Sequence, residues 1–159
     1  MSFPPKDLFS AVGLLILNFG SLEYLTFDFL QKELSAVDYA RASKLHFNER
    51  LDRCFELLAA TRPRATTRGG IEEIRRRLKP VRELRNHIVH GYLLVKIDPT
   101  SHRLSLWLSN PRESDIIDSE QSKHMSLGEV LLLLEELGEV QRSFEEMLGY
   151  THTTYSINS

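Results

Sequence analysis

The stretch Leu84-Arg85-Asn86-His87-Ile88-Val89-His90-Gly91-Tyr92 gathers a guanidinium, an amide, two imidazoles and a phenol near the middle of a 159-residue chain. An imidazole titrating near pH 6.5 can take or give a proton at neutral pH, and a guanidinium can hold an anion meanwhile. The chemistry within reach is proton transfer beside a bound anion.

The element that must position these groups is a helix ending near the glycine. Ile71, Ile74, Leu78, Val81, Leu84 and Ile88 recur three or four apart, as one buried helical face requires. At about 100° per residue they fall within an arc of roughly 140°, with Arg85 close to its centre. A guanidinium among apolar neighbours costs several kcal/mol unless a carboxylate, a carbonyl or a bound anion satisfies it. His90 lies about 7.5 Å further along the axis and about 140° around it, so one helix struggles to aim both side chains at one atom. Two copies on a two-fold axis would supply Arg and His from opposite chains. Pro80 falls inside the helix, but the apolar phase survives across it, so a single bent helix is expected. Gly91 suits a C-terminal cap, which leaves His90 in the last turn near unpaired carbonyls that favour its charged form.

Arg85-Asn86-x-x-x-His90 resembles the signature of the HEPN superfamily, with a polar residue directly after the arginine and the motif at a helix end. Tyr92 extends the likeness to the form found in HEPN toxins paired with a minimal nucleotidyltransferase antitoxin. It covers most of the chain: a long apolar first helix containing Phe19-Gly20-Ser21-Leu22-Glu23, further helices, the motif, a hairpin and a last helix. The resemblance implies an all-α, four-to-five-helix bundle that dimerises, brings two motifs together and cuts RNA without a metal.

The length fits one domain, 1–159, with a loose tail over 151–159, and is enough to bury a core. With 42% hydrophobic and 26% charged residues, neither wholesale disorder nor a membrane class is indicated. The single cysteine, Cys54, cannot form an internal disulfide and suits a reducing, cytoplasmic compartment. The N-terminus lacks the pattern of a secretory signal.

The first helix is expected to start after Pro4-Pro5, with Asp7 as a candidate cap, and to run to about Leu34. Asn18, Ser21, Glu23 and Asp28 interrupt its apolar run, which reads as a core helix rather than a membrane span. Val12, Ile16, Phe19, Phe27 and Leu30 share its inner side. Glu23 projects among them, and Arg85 is an economical partner for it, though a backbone contact or a dimer-related arginine would serve. Gly13 and Gly20, each costing about 1 kcal/mol in a helix interior, hint at close helix packing. A second helix is expected over about Ser43 to Ala60, and loop chemistry from Thr61 to Gly70.

Between Arg62 and Arg85 there are nine basic and three acidic residues, +6 in a chain of −2, so the rest carries −8. Such a segment suits a polyanion. The alternative is a solvated face in which Glu72 and Glu73 pair with Arg75, Arg76 and Arg77. After Gly91 the period changes to two: Tyr92 to Asp98 and Arg103 to Asn110 read as a β-hairpin. Pro111 to Met125 is polar and reads as mobile. Ser126-Leu127-Gly128-Glu129 is a capping box opening a last helix whose inner side carries Val130, Leu133, Leu134, Leu137, Val140, Phe144 and Leu148.

His87 and His90 lack a third ligand at a recognised metal spacing, and no Gly-rich phosphate loop, nucleophile elbow or thiol nucleophile pattern is present. No cofactor or metal is expected. On the HEPN resemblance the expectation is a homodimeric, metal-independent endoribonuclease leaving 2′,3′-cyclic phosphate and 5′-hydroxyl ends, of toxin or defence type. His90 is the acid–base group, Arg85 the phosphate holder, and Asn86 fixes the phosphate or the His90 tautomer. His87, Arg82 and Tyr92 are placed against substrate, with Glu23 supporting; Tyr92 is by analogy a site for nucleotidylation by an antitoxin. The alternative is a non-catalytic module binding RNA, a nucleotide or a protein partner.

Overall fold

Apolar residues at helical spacing build four long helices, and short polar stretches with their own caps separate them. In the computed structural model the described residues are 5–63, 67–90, 92–97, 100, 104–109 and 123–150. In chain order the elements are α1 (Pro5–Glu33), α2 (Ala36–Ala42), α3 (Phe47–Thr61), α4 (Arg68–His90), β1 (Tyr92–Ile97), β2 (Leu104–Ser109), β3 (Lys123–Ser126) and α5 (Leu127–Leu148). The fold is an all-α bundle of five helices, with a β-hairpin between α4 and α5 as the sequence led one to expect.

Pro5 opens α1, where its missing N–H costs nothing. Asp7 lies inside the first turn rather than at the cap, complementing the positive end of the helix. The second helix expected over Ser43 to Ala60 is α3, which starts four residues later, and α2 precedes it where no separate helix was expected. Ser35 starts α2, its Oγ accepting from the Asp38 N–H at 3.2 Å. α3 begins only at Phe47, with the His46 N–H donating to Glu49 Oε2 at 3.0 Å. Short polar caps, invisible to an apolar-periodicity reading, set both boundaries.

The chain divides into two compact units, Met1–Phe19 with Arg77–Gly138 and Gly20–Arg76 with Glu139–Ser159. In the first, Leu8 and Leu15 of α1, Val81 and Leu84 of α4 and Val130 and Leu137 of α5 are fully buried. Each such side chain contributes about 1.5–3 kcal/mol. The hairpin belongs to this unit, with Tyr92 opposite Ser109 and Ile97 opposite Leu104. A third strand lies on it, Leu106 opposite Met125. Met125 is buried, so 123–125 depart from the mobile stretch expected of Pro111 to Met125, while 110–122 lie outside the described residues, as do Gly91 and the tail from Thr151. Pairing with β2 gives the hairpin the third strand that two strands need in water. The capping box is present: the Glu129 N–H donates to Ser126 Oγ at 3.2 Å and the Ser126 N–H to Glu129 Oε2 at 2.6 Å.

In the second unit Leu22 and Leu30 of α1, Cys54 and Leu58 of α3 and Val140 and Phe144 of α5 are fully buried. The Phe55 and Phe144 rings meet edge to face at 5.9 Å. Leu133 and Leu134 are only partly covered, unlike the rest of the expected α5 face. By length and composition alone the stretch Asp7–Glu33 is apolar enough to cross a membrane, and a third of its apolar window is buried within the protein. Nor do Gly13 and Gly20 mark close packing among the described residues, where a Cβ added at either would meet nothing within 4 Å.

Candidate functional site

α4 carries the motif at its C-terminal end and runs through Pro80 unbroken. It is held to α5 by Arg77, whose Nε and Nη2 grip the Glu136 carboxylate in a two-pronged pair, the second bond 2.9 Å long. Such forked pairs fix orientation as well as adding energy. Sequence reading missed it, though Arg77 falls within the same apolar arc that drew attention to Arg85.

Arg85 is half-buried, as its place on that arc required. Its guanidinium carbon lies 5.5 Å from the centroid of the Phe19 ring, and Nη1 donates to Asn86 Oδ1 at 3.2 Å. The aromatic face attracts the cation by about 0.5–2 kcal/mol, and the amide occupies one donor of the fork. Positions 85 and 90 lie about 140° apart around α4. Arg82, Asn86 and His90 stand four apart and so form one row along α4. Asn86, exposed and in the middle of the row, draws the Arg85 guanidinium toward the side that His90 occupies. His87 is half-buried beside it. His90 is the last residue of α4 and Tyr92 the first of β1; the side chains of both lie outside the described residues.

Glu23, expected as a partner for Arg85, has Arg50 3.8 Å away. Arg50 is 7% exposed, the most enclosed charge among the described residues. Its Nη1 donates to the Leu45 carbonyl at 2.5 Å and its Nε to Thr26 Oγ1 at 3.4 Å. The guanidinium carbon stacks 3.9 Å from the Phe27 centroid. Burial lowers its pKa and Glu23 opposes that shift. Arg50 thus ties the middle of α1 to the start of α3. Its signal was legible: Arg50, Cys54 and Leu58 stand four apart on the buried row of α3.

Part of the basic run is spent on carboxylates. Arg75 reaches Asp52 at 2.7 Å and Glu72 at 2.9 Å, and Arg76 reaches Glu73 at 2.7 Å. Arg62 donates to the Leu148 carbonyl and lies 3.9 Å from Glu33. With Arg77 on Glu136, at least four of the nine cations form ion pairs among the described residues. For these four the solvated, ion-paired reading describes the run better than a bare phosphate track does.

A groove of about 560 Å³ opens between α3 and α4, lined by Asp52, Phe55, Glu56, Ala59, Arg68, Ile71, Glu72 and Arg75. Arg75 lies ten residues before Arg85, about 15 Å along the same helix, so the groove is not the motif. Burial pushes the Cys54 thiol up to about 12, which removes it as a nucleophile. Among the described residues no group of three or more His, Cys, Asp or Glu could hold a metal ion. Compared with protein-family models, curated proteins and solved structures, the chain matches none.

Proposed function

We propose that the α4 terminus is the half-site of a metal-independent endoribonuclease, completed in a homodimer, as its resemblance to the HEPN motif implies. The observation that carries this reading is the Arg85–Asn86 hydrogen bond, which turns a half-buried guanidinium toward the row ending in His90. In the reaction His90 of one copy takes the proton of a ribose 2′-hydroxyl as that oxygen attacks the adjacent 3′-phosphate. The bond to the 5′-oxygen breaks, a second proton donor, the other copy's His90, neutralises the leaving oxygen, and the 2′,3′-cyclic phosphate remains. Arg85 offsets the charge that builds on the phosphate, often the largest contribution to such catalysis. Asn86 holds Arg85 in place, and Arg82, His87 and Tyr92 border the substrate. A reducing, cytoplasmic setting and a toxin or defence role with a nucleotidyltransferase-type antitoxin belong to the same reading.

The test is cleavage of end-labelled RNA in EDTA. Wild type is expected to cut and leave cyclic phosphate ends, and His90→Ala to lose about 10²–10⁴ in rate. Equal cleavage by both proteins would refute the assignment. A second reading, anion binding without chemistry, is favoured by the ion pairing of Arg75, Arg76 and Arg77, which leaves less positive surface to draw in a long RNA. It predicts that wild type and His90→Ala bind RNA or nucleotide alike and neither cuts.

A further inference from the structure

One face of α1 is apolar and open to water. Phe9, Leu17 and Tyr24 are 52, 68 and 67% exposed. They alternate along the helix with Gly13 and Gly20, beside which an added Cβ would meet nothing within 4 Å among the described residues. With Ile16, half-exposed, all six positions fall within an arc of about 100° on one continuous helix. Glycine inside a helix costs about 1 kcal/mol relative to alanine. Here, twice, that cost leaves a notch that no other part of the described chain fills.

The order of large and small residues is symmetric. Phe9 and Tyr24 stand equally far from the midpoint between Ile16 and Leu17, and so do Gly13 and Gly20. A parallel pair or a lipid surface makes no such demand. Two identical helices packed antiparallel on a two-fold axis do, because each position then meets its mirror position and the patch must complement itself. We infer that α1 packs antiparallel against α1 of a second copy of this chain, with the axis between Ile16 and Leu17 and Gly13 of each copy facing Gly20 of the other.

The area is adequate. Side chains of this size bury about 150–250 Å² when fully covered. The open parts of this stripe therefore supply on the order of 500 Å² per copy, or about 1,000 Å² in the pair, the lower bound for specific association. The charge balance argues against lipid as the occupant. α1 carries Lys6 and Lys32 against Asp7, Glu23, Asp28 and Glu33, a net −2, where helices lying on anionic membranes are basic. This inference goes beyond the RNA reading and stands whether or not RNA is cut: that reading needs a dimer, but not this face or this register.

The test uses the full chain. Light scattering at micromolar concentration is expected to give a dimer, and Leu17→Glu a monomer of unchanged helical circular dichroism, with association weakened at least about 10-fold by the two charges, one from each copy, brought together beside the axis. Buried Cys54 leaves introduced thiols to report on register. Co-expressed Phe9→Cys and Tyr24→Cys chains are expected to cross-link on oxidation. Phe9→Cys alone is not, because its two thiols would lie about 22 Å apart along the pair. A monomeric wild type, a dimer indifferent to Leu17→Glu, or Phe9→Cys linking to itself would each overturn the inference. So would a monomer that binds phosphatidylcholine–phosphatidylserine vesicles through this face.

Discussion

Arg50 sits where a charge is hardest to keep, and four contacts hold it: the Glu23 carboxylate, the Leu45 carbonyl, Thr26 Oγ1 and the Phe27 ring. Removing a buried ion-pair partner typically costs about 3–5 kcal/mol. Glu23 is a quarter exposed and 3.8 Å away, so its own loss is partly made good by water. Arg50→Ala is accordingly expected to cost about 2–3 kcal/mol, mostly through the orphaned carbonyl and the emptied volume. Urea unfolding is the check, and a midpoint unchanged from wild type would show Arg50 to be incidental to the junction of α1 and α3. Arg85 contrasts with it. It is half-buried, with the Phe19 ring and the Asn86 amide among its contacts. That difference in enclosure, rather than charge, separates the arginine read here as structural from the one read as functional. The sequence marked Arg85 because it falls at the centre of an apolar arc. It could not name Phe19 as the partner, because that contact crosses from one helix to another.

At the scale of elements, periodicity found α1, α4, α5 and the hairpin nearly at their ends, because each buries a continuous face or alternates cleanly. It failed where boundaries depend on a few polar atoms. The Ser35 cap starts α2 where no separate helix was expected, the His46 cap delays α3 to Phe47, and β3 exists because 123–126 find hydrogen-bond partners on β2 rather than for any pattern of their own. Where the cap has a sequence signature it was read in advance, as at Ser126 and Glu129. Ser126→Ala removes the acceptor for the Glu129 N–H at the start of α5. The expected cost is about 1 kcal/mol, measurable by chemical denaturation. No loss would mean that packing of Leu127 and Val130, not the cap, sets where α5 begins.

At the scale of the whole molecule, segments distant in sequence are tied by few polar contacts. Tyr150, just beyond α5, donates its hydroxyl to Asp28 Oδ2 at 2.5 Å, while Lys32 Nζ lies 2.6 Å from the same carboxylate and over the Tyr150 ring. The Lys32 and Tyr150 hydrogen bonds hold the Asp28 carboxyl below its ordinary value of 3.8. A carboxylate whose pKa falls on folding stabilises the fold above its unfolded pKa, and that contribution disappears as the pH drops through the depressed value. Burial and the Asp28 bond raise the Tyr150 hydroxyl above 10, and the Asp28 bond raises Lys32 above 10.5, so the tie persists well into alkali. Wild type is therefore expected to melt above Asp28→Asn at neutral pH, with the gap closing below about pH 3.8. A gap independent of pH would assign the effect to packing. By itself the sequence determined the helical class, the hairpin, the α5 capping box and the motif at the end of α4, all of which follow from local spacing and turn chemistry. Tertiary structure alone decided which cations were committed to carboxylates, that Glu23 has Arg50 at its side, and that Gly13 and Gly20 open outward. Those outcomes depend on which helix faces meet, a property that one-dimensional spacing does not carry.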